Sequence, residues 1–99
     1  MSDHVVRGEL WEHSPGDPGS WHFMTVSAEL ADDIRLEAGP TGGFGSVRVE
    51  ARTGGTTWRT SLFPEARTGA LLLPVKRSVR EAEGLYAGAT CEVTLVVRP

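Results

Sequence analysis

The stretch Ser46–Pro64, SVRVEARTGGTTWRTSLFP, decides the fold. Val47, Val49 and Ala51 alternate with Arg48, Glu50 and Arg52, the period of two that a strand with one buried face requires. Gly54-Gly55 sits at the centre, where a tight primed turn needs the positive φ angles that glycine supplies without strain. On the return, Trp58 and Leu62 share one face with Thr56 and Thr60, while Arg59 and Ser61 take the other. Pro64 is expected to end the strand, because proline cannot donate to a ladder. The inner face of this hairpin is scaffolding. Only its outer arginines, Arg48, Arg52 and Arg59, are open to a functional role.

Working outward towards the N-terminus, His4–His13 alternates as well, with Val6, Gly8 and Leu10 on one face and Arg7, Glu9 and Trp11 on the other. The turn-formers of Ser14–Gly19 stop that strand. Trp21–Val26 is a second strand, expected to pair with the first as a hairpin with a long loop. Trp21 and Phe23 share its apolar face, which assigns Trp21 to the core together with Trp58; Trp11, on the polar face, is expected to be partly exposed. Ser27 then caps a helix whose first-turn Glu29 suits the positive end of the dipole. Leu30 and Ile34 form its buried stripe, and Gly39-Pro40 ends it.

Beyond the hairpin, Glu65–Gly69 reads as a polar loop. Ala70–Leu73 is apolar on both faces, as a central strand must be. A second helix is expected at about Lys76 to Glu83, with Val75, Val79 and Ala82 as its apolar stripe and Gly84 as C-cap. Leu85 and Tyr86 are expected to pack back on the core. Thr90–Val97 closes the chain as a strand with Cys91, Val93, Leu95 and Val97 on one face. The sum is a mainly β chain of about six strands with two short α-helices.

Ninety-nine residues make one domain, 1–99, with a modest core. A net charge of −3 weighs against a protein that relies on wrapping polyanions, since that affinity comes from neutralising phosphates. It leaves room for a local basic patch. Cys91 is the one cysteine, so no intrachain disulfide forms, which fits a reducing cytoplasm. The start MSDHVVRGELWEH lacks the basic and apolar regions of a secretion signal, and the apolar runs fall far short of the ~20 residues of a membrane span. A cytoplasmic location without membrane contact is the expectation.

Chemistry-bearing residues are sparse. His13 and His22 flank the first loop near Glu12 and Asp17, but a metal needs three or four converging ligands, so exposed histidines are the plainer reading. Neither metal nor cofactor is expected. Cys91 alternates with Val93 and Leu95, which makes it a core thiol rather than a nucleophile. Gly39–Gly45, GPTGGFG, follows a helix and opens a strand, the reverse of a phosphate-cradling loop. No nucleophile elbow, paired-carboxylate motif or P-loop is present. The most suggestive set is Lys76, Arg77 and Arg80, three cations in five residues at a helix start, where they oppose the dipole and suit an anion. Arg48, Arg52 and Arg59 extend that patch if they lie nearby; otherwise the set is a solvated face.

One resemblance spans nearly the whole chain. Trp21 and Phe23, Ser61-Leu62-Phe63-Pro64, Gly69, Leu73-Pro74-Val75-Lys76-Arg77, Val79-Arg80, Gly84, Gly88 and Val93 match, in order and spacing, the bacterial family catalogued as domain of unknown function 1905. Where that family usually carries an acidic residue after the last turn glycine, Ala89 stands here. The resemblance implies a small β-barrel of the double-split type with short helices at its ends. It implies no activity, because the family has no established one. Some members carry a second domain named for bacteriocin protection, which this chain is not expected to hold. The segment from Leu73 to the last strand is also similar to the barrel half of AbrB-like transition-state regulators and antitoxins, which dimerise and read DNA with basic residues.

Three functions are therefore carried forward. The first is a non-enzymatic binding or interaction module of unknown ligand or protein partner, with a homodimer kept open. The second is a nucleic-acid-binding regulator using Lys76, Arg77, Arg80 and the hairpin arginines, disfavoured by net acidity. The third, ranked last, is an enzyme acting on a small anionic molecule held by the same cations.

Overall fold

The structure, a computed structural model, describes residues 3–17, 19–40 and 45–98. In chain order it forms β1 (Asp3–Glu9), β2 (Trp11–Glu12), β3 (His22–Val26), α1 (Ala28–Ala38), β4 (Val47–Thr53), β5 (Thr56–Glu65), β6 (Ala70–Pro74), α2 (Arg77–Glu83) and β7 (Thr90–Val97). Most of the glycine-rich connection expected at 39–45, residues 41–44, lies outside the described residues.

The central hairpin forms as its alternation requires. Val47 pairs with Leu62, Val49 with Thr60 and Ala51 with Trp58, so their side chains share one face. Val47, Val49, Ala51, Trp58 and Leu62 are all buried, while Arg48, Arg52 and Arg59 are exposed. Gly54 takes φ 55 at the tip while Gly55 keeps a negative φ, the pattern of a turn whose first central residue alone is left-handed. Burying a leucine such as Leu62 contributes about 1.5–3 kcal/mol relative to leaving it exposed.

The strands lie in the order β1-β7-β4-β5-β6-β3-β2, every neighbouring pair antiparallel. β1 and β2 stand at opposite ends of that order, yet only Leu10 separates them in the chain. The sheet therefore curls until its two ends meet, and the result is mainly β: a nearly closed barrel of seven strands with two helices. The expected N-terminal strand is bent at Leu10. Its first part pairs with β7; its last two residues pair with β3, Trp11 opposite Phe23 and Glu12 opposite His22. Leu10 is 1% exposed, donates its N–H to the Ala89 carbonyl at 2.9 Å and accepts from Gly88 N–H at 2.7 Å. The junction is thus fixed by packing and by two backbone bonds.

β5 is the second joint. Up to Leu62 it pairs with β4; from Phe63 it pairs with β6, Phe63 opposite Leu72 and Pro64 opposite Leu71. Pro64 does not end the strand. Once β4 has left, that side of β5 is an edge, the setting in which a strand tolerates proline. β6 lies between β5 and β3 as its two-faced apolarity requires.

α1 packs on β6 and β7, with Ala31 and Ile34 buried. Ser27 Oγ accepts from Leu30 N–H at 3.4 Å, and Gly39 at φ 70 closes the helix. α2 packs on β5 through buried Val79. Lys76 is its N-cap and offers no side-chain cap; Gly84, left-handed at φ 65, ends it. Glu83 accepts from Thr56 Oγ1 at 2.5 Å and lies where a Cβ on Gly54 would point, tying α2 to the hairpin tip. Leu85 packs against the core, but Tyr86 is exposed, contrary to expectation.

Candidate ligand-binding face

The phase of β3 is opposite to the one its aromatics suggest. Met24 and Val26 are buried, so Phe23 and Thr25 face outward, and Trp21, just before the strand, is 56% exposed. The same parity acts on β5: because Trp58 and Leu62 point inward, Arg59, Ser61 and Phe63 all point outward along one line. Phe63 is 42% exposed.

The outer surface of β2, β3, β6 and the end of β5 thereby becomes aromatic. Trp11, Trp21, Phe23 and Phe63, with His13 and Leu72, line an open groove of about 390 Å³. Trp11 and Phe23 are cross-strand partners with ring centroids 5.2 Å apart; Trp21 stacks on Phe23 at 5.8 Å and 18°. Trp11 is held in place by its indole N–H, which donates to Thr25 Oγ1 at 3.0 Å. Contiguous exposed apolar surface on a small domain marks an interaction site more often than chance placement does.

Cations flank this groove on both sides, but not as one patch. Arg48 and Arg59 line a second groove of about 370 Å³ together with Arg98, Thr60 and Ser61. Ser61 is two residues from Phe63 on the same outward line, so the arginine groove runs into the aromatic one. A third groove, of about 230 Å³, contains Lys76 and Arg80 with Ser20, His22 and Trp21. Trp21 therefore belongs to two grooves. Arg48, Arg59, Arg98 and Lys76 form no ion pair with any described residue, nor does Arg80, whose Nε donates to the Val75 carbonyl at 3.1 Å. Arg77 turns away and meets Glu81 at 3.4 Å. Arg52 stands opposite Thr57 and lines none of these grooves. The two basic sets are thus separated by aromatic rings rather than merged. Acidic groups are near: Glu12 accepts from Ser20 Oγ at 2.7 Å, and Glu50 is opposite Arg59 in register.

The remaining candidates fall elsewhere. His4 Nε2 is 2.8 Å from Glu37 Oε1, a β1–α1 contact. His22 Nδ1 and Trp58 Nε1 are buried without a partner among the described residues. No three His, Cys, Asp or Glu side chains among the described residues converge as metal ligands. Cys91 is buried in the core; burial pushes its thiol pKa up, and a Leu10 backbone hydrogen bond offsets part of that rise. No helix among the described residues is long and apolar enough to cross a membrane.

Of the candidate cations, Lys76, Arg80, Arg48 and Arg59 line grooves; the aromatic groove between them and Arg98 are not among the candidates that the sequence offers. The signal was present in β5: once Leu62 is inward, Phe63 must be outward.

A family model described as domain of unknown function (DUF1905) matches residues 7–95. The chain belongs to that family. The match runs from the middle of β1 to near the end of β7, so the DUF1905 domain and the barrel coincide. No curated protein matches the chain.

Proposed function

We propose that this DUF1905 domain is a non-enzymatic binding module whose ligand lies on the aromatic face formed by Trp11, Trp21, Phe23 and Phe63. The observation that carries the proposal is the outward phase of β3 and β5, which puts four rings on the surface although the core is already filled by Met24, Val26, Trp58 and Leu62. Keeping rings in water forgoes the burial that would stabilise the fold, and a ligand that covers them recovers it on binding. The flanking guanidiniums and Lys76 favour a ligand that also carries negative charge.

An enzyme acting on a small anion would use the same cations. The one thiol is turned into the core with its pKa raised, which supports binding over covalent catalysis.

The test is fluorine NMR of protein labelled with 5-fluorotryptophan. Ligands of several classes are titrated: aromatic acids, nucleotides, acidic peptides and oligosaccharides. The expected result is that a binding ligand moves the Trp11 and Trp21 resonances and leaves buried Trp58 in place. Binding that survives Trp21→Ala with Phe63→Ala, or that moves Trp58 alone, refutes the proposal.

A further inference from the structure

We infer that the occupant of the aromatic face is single-stranded nucleic acid, laid from the arginine groove across the rings to Lys76 and Arg80. This rests on the aromatic-face proposal and narrows its ligand. The chemistry of the surface alternates. Arg48, Arg59 and Arg98 lie at one end; Phe63, Phe23, Trp11 and Trp21 follow; Lys76 and Arg80 lie at the other end. A ligand that satisfies all three segments must carry negative charge at two separated places and flat apolar groups between them.

A small anion meets only one of the basic grooves and leaves the rings uncovered. A purely apolar partner covers the rings and leaves five unpaired cations facing it. Duplex DNA, which AbrB-like barrels read, keeps its bases stacked within the helix, where these rings cannot reach a base face. A single strand offers both groups on a repeating backbone: phosphates for the guanidiniums and unpaired bases for the rings. Base–aromatic stacking of this kind is tolerant of sequence, since every base has a flat face.

The line Arg59–Ser61–Phe63 supplies the track. Arg59 and Phe63 are four residues apart on one outward row of β5, roughly 13 Å along the strand. Beyond Phe63 the ring surface continues across β6 to β3 and β2, because Phe63 is opposite Leu72 and Trp11 is opposite Phe23. Ser61 and Ser20 add hydroxyl groups to the two basic grooves. The net charge of −3 makes this affinity local and modest rather than general.

The test is fluorescence anisotropy with labelled oligo(dT) and oligo(U) of about 16 nucleotides. Engaging four or five phosphates gives a slope of log affinity on log salt of about −3, which is a loss of about 60-fold between about 50 and 200 mM salt. Trp21→Ala with Phe63→Ala is expected to weaken binding at least about tenfold at unchanged salt slope. Arg48→Ala with Arg59→Ala and Arg98→Ala is expected to flatten the slope by about 2. These positions are on the surface, and circular dichroism verifies that the variants fold.

Three results overturn the inference. One is no oligonucleotide binding at low salt; if the fluorotryptophan titration still finds a ligand on Trp11 and Trp21, the aromatic face stands and only its occupant was misjudged. Another is duplex competing as well as single strand, or binding indifferent to the loss of Trp21 and Phe63, which is generic electrostatics. The last is a dimer in light scattering that dissociates in the Trp21→Ala, Phe63→Ala protein while oligonucleotide fails to bind, which makes a second copy of the chain the occupant.

Discussion

Replacing Leu10 by Ala tests how the barrel closes. Leu10 joins β1, at one end of the sheet, to β2, at the other, and is 1% exposed. Truncating a buried leucine removes its transfer free energy and leaves a cavity that neighbours fill only in part, for a cost of about 2–5 kcal/mol. The two backbone bonds of Leu10, to Ala89 and from Gly88, limit how far the junction can collapse, which places the expected loss near about 3 kcal/mol. In a domain of this size that lowers Tm by about 12–24 °C. Leu36→Ala is the matched control, because Leu36 is 82% exposed and the same change there should stay within about 0.5 kcal/mol. Urea titrations followed by tryptophan fluorescence give both values, and Trp58 supplies a buried reporter. Amide exchange adds a spatial check: β1 and β7 should lose protection ahead of β4 in the Leu10→Ala protein. If Leu10→Ala costs less than about 1 kcal/mol, or if Leu36→Ala matches it, Leu10 does not lock the closure and the reasoning fails.

Two further expectations concern the hairpin tip and the thiol. Gly54→Ala forces a side chain into φ 55 and towards the Glu83 carboxylate, at a cost of about 1–2 kcal/mol, and the same change made in a Glu83→Ala background should cost less; a double-mutant cycle that shows strict additivity contradicts the contact. Burial raises the Cys91 pKa, so at alkaline pH the unfolded chain loses a proton that the folded chain keeps. Stability should therefore fall as pH rises above the ordinary thiol value, by up to ~1.4 kcal/mol per unit, until the folded pKa is passed. Urea midpoints at about pH 8 and about pH 10 should differ more in the native protein than in Cys91→Ala; equal differences would show that another group is responsible.

Where alternation is long and carried by β-branched residues, the sequence is legible. Val47, Val49 and Ala51 of β4 and Cys91, Val93, Leu95 and Val97 of β7 are buried, on the faces that the pattern names. The Ser27 cap and the central place of β6 were readable for similar reasons: each follows from chemistry within a few residues. β3 misleads because it is five residues long and both phases around it look apolar, Phe23 with the preceding Trp21 against Met24 and Val26. A slip of one residue turns every side chain to the other face, and the larger rings suggested the wrong one. Pro64 departs from expectation because its tolerance depends on a change of neighbour, from β4 to β6, that no local pattern records. The candidate site divides in the same way. Lys76, Arg80, Arg48 and Arg59 stand out as charges in the sequence, but Arg98 joins them only because β7 lies beside β4.

The closure at Leu10 also sets an order in time. β1 cannot pair until β7 exists, because Glu9 is opposite Thr90 and Asp3 is opposite Val96. At usual rates of translation, roughly eighty residues of synthesis separate the two, or roughly 4–16 s. Until β7 is made, β1 and the outer side of β4 lack their native strand partner, while the β4–β5 hairpin and the β3–β6 pair can already form. The nascent chain is then an open, curved sheet with two free edges, and release of the last strand converts it to a barrel in one late step. Pausing, slow codons or a holding chaperone would act on this protein at that step, before residues 90–97 emerge.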